Sequence, residues 1–206
     1  MSRIAVIDFE TTGLSPAMGD RATEVAIVLV EGGRVVDRFQ SLMNAGVRIP
    51  AFITALTGIT TAMVAAAPDA STVMAAASRF VGNAPMVAHN ASFDRRFWEA
   101  ELARVKTAAG QPFACTMLLS RRLYPRALSH KLGVLVDYHQ LPAAGRAHRA
   151  LADAEMAAAL LVQIQHDLRS HHGVARPDHA LLVTLQRCAK PALRALMAKY
   201  AAAVNA

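Results

Sequence analysis

The chain is poor in cysteine, in aromatic residues and in acid, and each shortage excludes something. Of 206 residues only two are cysteines. Cys115 and Cys188 stand far apart and form no C-x-x-C pair. That excludes a disulfide framework or a thiolate zinc cluster, and leaves buried thiols of a cytoplasmic protein as the expectation. Aromatic residues make up 5%, so platforms for stacking nucleobases are few. No uncharged apolar run approaches the ~20 residues of a membrane helix. Met1-Ser2-Arg3-Ile4 leads directly into a strand-like segment, with no room for a signal peptide. Neither repeats nor a low-complexity linker divide the sequence. Asp and Glu number 15 against 22 Lys and Arg, a net charge of +7. A surface of that sign attracts polyanions. It also leaves a local cluster of carboxylates without a reason to exist unless cations fill it.

What is present is globular: 54% hydrophobic and 18% charged residues, in a length that fits one domain with an appendage. Ile4-Ala5-Val6-Ile7 is apolar throughout, the pattern of a strand covered on both faces. Glu24 to Val30 is a second run, and Gly32-Gly33 separates it from Arg34 to Phe39 as a hairpin signal. Pro68 opens a helical segment with Val73, Ala77, Phe80 and Val81 on one stripe. Pro85 to Ala88 reads as a short buried strand, Ser92 to Val105 as a helix, and Phe113-Ala114 as one more short strand. Lys131 to Tyr138 and Ala150 to Arg169 read as helices, and two more follow His171, split near Lys190-Pro191. A hairpin followed by strand–helix alternation predicts an α/β domain with a mixed sheet and helices on its faces.

Three short motifs carry chemistry. In Asp8-Phe9-Glu10-Thr11-Thr12-Gly13 the two acids are two apart on a strand and face the same way at its rim. His89-Asn90-Ala91-Ser92-Phe93-Asp94 lies at a strand-to-helix junction, where Asn90 or Ser92 can cap the helix and Phe93 can anchor it. His148 and Asp153 are five apart, roughly 140° around one regular helix. They reach one site only if the helix begins near His148, and Gly145 supports a loop there. Asp153 is then fixed while His148 is mobile, a division that suits a metal ligand and a general base. Taken singly, each motif has a bland reading as a solvated acid pair, a capped helix start or a surface histidine. Arg95-Arg96, Arg121-Arg122, Arg126 and Lys131 are either phosphate contacts or a solvated basic face.

Together and in this order, with Leu56-Thr57-Gly58-Ile59-Thr60 between the first two, the motifs resemble the histidine-bearing DEDDh branch of the DEDD exonuclease superfamily. The resemblance covers about residues 1 to 168. It implies a ribonuclease H-like fold with a five-stranded mixed sheet, an exonuclease domain over 1–170 and a helical extension over 171–206. It implies Asp8, Glu10 and Asp153 as ligands of two Mg2+ or Mn2+ ions, with Asp94 as the fourth metal-site carboxylate and His148 as the base that deprotonates water. Glu10, Thr11, Leu14 and Asn90 are the implied substrate contacts. The implied activity is 3′-to-5′ hydrolysis of a single-stranded nucleic acid from its 3′ end, releasing nucleoside 5′-monophosphates. The scarcity of aromatics tilts the substrate slightly toward DNA. Thr57 stands where proofreading subunits often carry histidine, and no glutamine- or proline-rich linker precedes residue 171, which weakens a replisome assignment. A non-catalytic nucleic-acid-binding or polymerase-accessory module is the alternative, although all five site positions are filled. Residues 171–206 are expected to pack on the core, on a second copy or on a polymerase partner.

Overall fold

The first strand, β1 (Ile4–Thr11), is the middle of a five-stranded sheet. The computed structural model describes residues 3–142 and 148–202. Strand β2 (Ala22–Glu31) pairs antiparallel with β1, and β3 (Arg34–Leu42) antiparallel with β2. On the other side β4 (Met86–Ala88) and β5 (Phe113–Cys115) run parallel to β1, giving the order β3-β2-β1-β4-β5. The β2–β3 turn places both Gly32 and Gly33 at positive φ, 60° and 80°. Both conformations are those of the tight hairpin turn that the glycine pair predicts.

Helices occupy both faces, because β1 and β2 alternate between two apolar sets. Ile4, Val6, Ala26, Val28 and Val30 face α7 (Ala150–Ser170), with α5 (Thr116–Leu123) and α6 (Leu132–Tyr138) beside it. Ala5, Ile7, Phe9, Val25, Ile27 and Leu29 face α3 (Ala70–Val81) and α4 (Ser92–Arg104), where Phe97 and Trp98 are completely buried. The continuous apolar runs thus reflect strands covered on both sides. Two short helices, α1 (Ala51–Thr57) and α2 (Thr61–Ala65), were not legible as such; they enclose a small core of Ile49, Ile53, Ile59 and Val64.

Beyond α7 the chain returns to the sheet. In α8 (His179–Leu185), Leu181, Leu182 and Leu185 are fully buried in the α7-side core. Gln186 then pairs with the free edge of β5 as a strand would. Its Oε1 accepts the Cys115 N–H at 2.6 Å and its Nε2 donates to the Phe113 carbonyl at 3.1 Å. Helix α9 (Leu193–Ala202) lays Met197 on the same core. Both cysteines are free; Cys115 is buried as expected, whereas Cys188 sits on the partly exposed turn after α8 and is not. Among the described residues no helix is long and apolar enough to cross a membrane.

Candidate active site

Asp8 and Glu10 continue the α7-facing side of β1 beyond Ile4 and Val6, while Phe9 turns into the opposite core. Asp153 lies in the first turn of α7, across this face. One oxygen each from Asp8, Glu10 and Asp153 lie within 4.8 Å of one another. Asp94 arrives from the other side of the sheet on α4; it is 2% exposed, and its Oδ1 accepts the Phe9 N–H at 3.1 Å. The structure therefore brings three of the predicted acids into one cluster and sets the fourth behind β1.

These acids disfavour one another's charge. Burial, and then the charges of Asp94, Asp153, Glu10 and Glu24, push the Asp8 carboxyl well above the ordinary carboxylate range. Glu10 is pushed up to about 7 by burial and by Asp153 and Glu24, against an opposing pull from Arg149. Asp94 is pushed up to about 8, chiefly by burial. Asp153 is raised by burial, with the His148 N–H working against the rise. Carboxylates at contact distance in a dry setting either take up protons or gather cations. An all-oxygen donor set fits a hard divalent ion such as Mg2+ or Mn2+ rather than a thiophilic one.

This sets a pH dependence for the metal-free protein. An unfolded chain ionises these acids near ~4, whereas the folded protein holds protons on Glu10 to about 7 and on Asp94 to about 8. Across that interval the native state binds more protons, so stability falls as pH rises. Thermal melts in chelator should drop between pH 5 and 8, and Mg2+ should reverse the drop while releasing protons. Melts in chelator that stay level or climb over this range would contradict the buried acid cluster.

His148 is exposed, with φ 60°, and its N–H donates to Asp153 Oδ2 at 3.0 Å. It lies two residues before α7 starts, the placement its spacing from Asp153 demanded; Gly145 falls outside the described residues. His148, Asp153, Asn90 and Lys131 share the wall of an apolar-floored cleft of about 780 Å3. Asn90 is exposed in a left-handed conformation, φ 66°. Neither it nor Ser92 caps α4 with its side chain: the cap position is Ala91, and the Asn90 carbonyl accepts the Phe93 N–H at 2.9 Å. The capping expectation fails: Asn90 takes a left-handed backbone, and its carbonyl rather than its side chain meets the first turn of the helix. Thr11 is buried, and its Oγ1 donates to the Gly13 carbonyl at 2.7 Å. Leu14 is 78% exposed beyond it. Gly13 is required by the fold of this rim, since a Cβ there would lie 2.3 Å from Asp20 Oδ1, and Asp20 Oδ2 accepts the Ser15 N–H at 2.9 Å.

Two supporting ion pairs escaped the motif reading, and His89, quoted there as part of a motif, has a structural role. Glu24 is fully buried opposite Glu10 in the β1–β2 register. It accepts two bonds from Arg149, at 2.8 and 3.1 Å, and the Ala150 N–H at 3.1 Å. A carboxylate on β2 thus caps the first residue of α7 and fixes where His148 and Asp153 begin. On the other face Arg21 forks onto Glu101 of α4 at 2.8 and 2.9 Å, which holds the helix that carries Asp94. His89 is largely buried, and its ring nitrogens meet Thr116 Oγ1 at 2.8 Å and the His130 carbonyl at 3.0 Å. Burial takes its pKa down to about 4, so it stays neutral and ties β4 to α5. Arg21 and Glu101 are 80 residues apart and Glu24 and Arg149 are 125 apart, so no local spacing could reveal either pair.

Comparison with known proteins places this arrangement. Residues 5–161 match the exonuclease family model designated RNase_T. The DNA polymerase III PolC-type protein of Bacillus subtilis is 37% identical over 164 residues, covering 79% of this chain and 11% of that protein. The 3′-5′ exonuclease DinG of the same organism is 37% identical over 171 residues, covering 81% of this chain and 18% of the relative. This chain therefore spans only a small part of the curated relatives it matches. A solved exonuclease X in complex with 5′ overhanging duplex DNA superposes with a TM-score of 0.71 at 30% identity, covering 89% of this chain and 99% of that one. The five-stranded mixed sheet with flanking helices is the ribonuclease H-like fold those exonucleases share.

Proposed function

The chain belongs to the RNase_T exonuclease family, and from that premise we propose that it shortens single-stranded nucleic acid from the 3′ end, DNA in preference to RNA, releasing nucleoside 5′-monophosphates. The observation that carries the reading is the convergence of Asp8, Glu10 and Asp153 within 4.8 Å beside a cleft that also holds His148. Asp8, Glu10 and Asp153 would hold two divalent cations, with Asp94 supporting from behind the strand. At such a site Mg2+ or Mn2+ supplies the charge that acidifies water and stabilises the attacking and leaving oxygens of an in-line displacement.

The chain's own residues do the rest. His148 stands at the exposed lip, where its ring can take a proton from water, the general-base role most often filled by histidine. Its backbone N–H meanwhile keeps Asp153 turned toward the cluster. Leu14 and Thr11 on one side and Asn90 on the other flank the position of the terminal nucleotide. The DNA named in the exonuclease X complex supports the preference for DNA.

The PolC-type relatives favour a second reading of context. In that reading this domain serves a polymerase, with residues 171–206 as the contact to it or to a second copy.

The decisive assay uses 5′-labelled DNA and RNA strands of matched sequence, each with a free or a blocked 3′ terminus, with Mg2+ and with chelator. Stepwise shortening confined to free 3′ ends and lost in chelator is expected. Cleavage of circular strands, or no shortening at all, would end the proposal.

A further inference from the structure

More than half of the net charge of +7 lies in the last 36 residues, beyond the end of the family match. From His171 onward there are five Lys and Arg and one acidic residue, Asp178. Two of these cations, Arg187 and Lys190, sit on the exposed turn between α8 and α9. The turn is not loosely hung. Gln186 is bonded to the Cys115 N–H and the Phe113 carbonyl on the free edge of β5, and Arg122 Nε donates to the Cys188 carbonyl at 3.1 Å.

That turn borders two grooves, each lined in part by chain neighbours of residues in the wall of the active-site cleft. The first, of about 470 Å3, begins at Ala91 and Ser92, next to Asn90; Arg95, Arg96 and Arg187 line it, with Glu99 as its one acid. The second, of about 290 Å3, holds Arg121, Arg122, His130 and Lys190 and no acid, and His130 adjoins the Lys131 that lines the active-site cleft. Cationic side chains on a rigid frame can meet phosphates without a large ordering cost.

We propose that the turn 186–190 is a nucleic-acid-binding element: with the Arg95-Arg96 and Arg121-Arg122 pairs it grips the phosphates of the strand whose 3′ end lies at Asp8 and Asp153. The proposal rests on the exonuclease reading and adds where the remainder of the strand runs. Its chemistry is phosphate recognition without base readout, so DNA and RNA are both accepted along this track. Phe113 lies in the wall of the first groove but is buried in the core, so it offers little stacking face and the grip is electrostatic and salt-sensitive.

The test compares the unaltered protein with an Arg187→Gln/Lys190→Gln variant on two substrates, a trinucleotide and an oligonucleotide long enough to cross both grooves. Removing two phosphate contacts should weaken binding of the long strand about three- to tenfold and lower its log–log salt slope by about 1.4, at about 0.7 per contact. Turnover of the trinucleotide should not change. An Arg176→Gln/Arg194→Gln variant removes the same charge from exposed positions outside both grooves and should bind the long strand normally. Unchanged long-strand affinity and slope in the first variant would overturn the proposal, as would an equal loss in the second, which would reduce the effect to net charge. A protein that shortens neither substrate would instead refute the exonuclease reading, and the binding comparison would still decide the fate of the surface.

Discussion

Replacing Asp8 by asparagine is expected to abolish shortening of a 3′ end while making the metal-free protein more resistant to heat. Asp8 is the most crowded of the acids, raised by burial and by the charges of Asp94, Asp153, Glu10 and Glu24. Asparagine keeps the shape and removes the charge. Loss of cation binding should cost several kcal/mol of transition-state stabilisation, a rate loss of about 10³-fold or more. The opposite sign on stability follows because a buried carboxylate among four others opposes folding above neutral pH. Assayed at pH 8, the variant should show no product above background and a higher melting temperature in chelator. Added Mg2+ should shift its melting temperature less than that of the unaltered protein. Retained activity would remove Asp8 from the chemistry; a melting temperature that falls would show that the cluster is not a source of repulsion.

Glu24→Ala should do the reverse and damage the fold first. Glu24 is held low by its hydrogen bonds to Arg149, Gln40 and the Ala150 N–H, although burial alone would raise it. A group depressed in this way stabilises the native state at neutral pH and loses that effect only on acidification. Alanine leaves the Arg149 guanidinium without its partner and the α7 N-terminus uncapped. Breaking a buried pair from one side costs about 3–5 kcal/mol, and the lower end applies because Arg149 is 33% exposed and can reach water. Chemical denaturation at pH 7 measures this directly. A loss below 1 kcal/mol would mean that α7 is held by its apolar face alone. Where the variant still folds, its rate should drop too, since His148 and Asp153 take their positions from the start of that helix.

These two carboxylate effects divide along what the sequence could disclose. Strand and helix identities follow from short-range patterns: the unbroken apolar run of β1, the Gly32-Gly33 turn and the stripe of α3 needed no tertiary information. The acids of the site were legible for the same reason, since each motif keeps its members within six residues of one another along the chain. Glu24 was read only as the start of an apolar run, because its partner lies beyond a hundred intervening positions. The α1 and α2 helices are too short to display a period. Asn90 misled as a capping residue because a left-handed backbone is set by the junction of β4 with α4 and leaves no mark in composition.

The pairing of Gln186 with β5 has a consequence for the life of the molecule outside any reaction. A sheet margin with bare amides and carbonyls invites a stranger's chain to add itself. Here one amide side chain closes that ladder on the parallel side of the sheet. Cut between α7 and α8, the protein would present Cys115 and Phe113 as an open template, together with the leucine bed that α8 had covered. Such a fragment would meet its own kind edge to edge and be lost to self-association well before heat could unfold it.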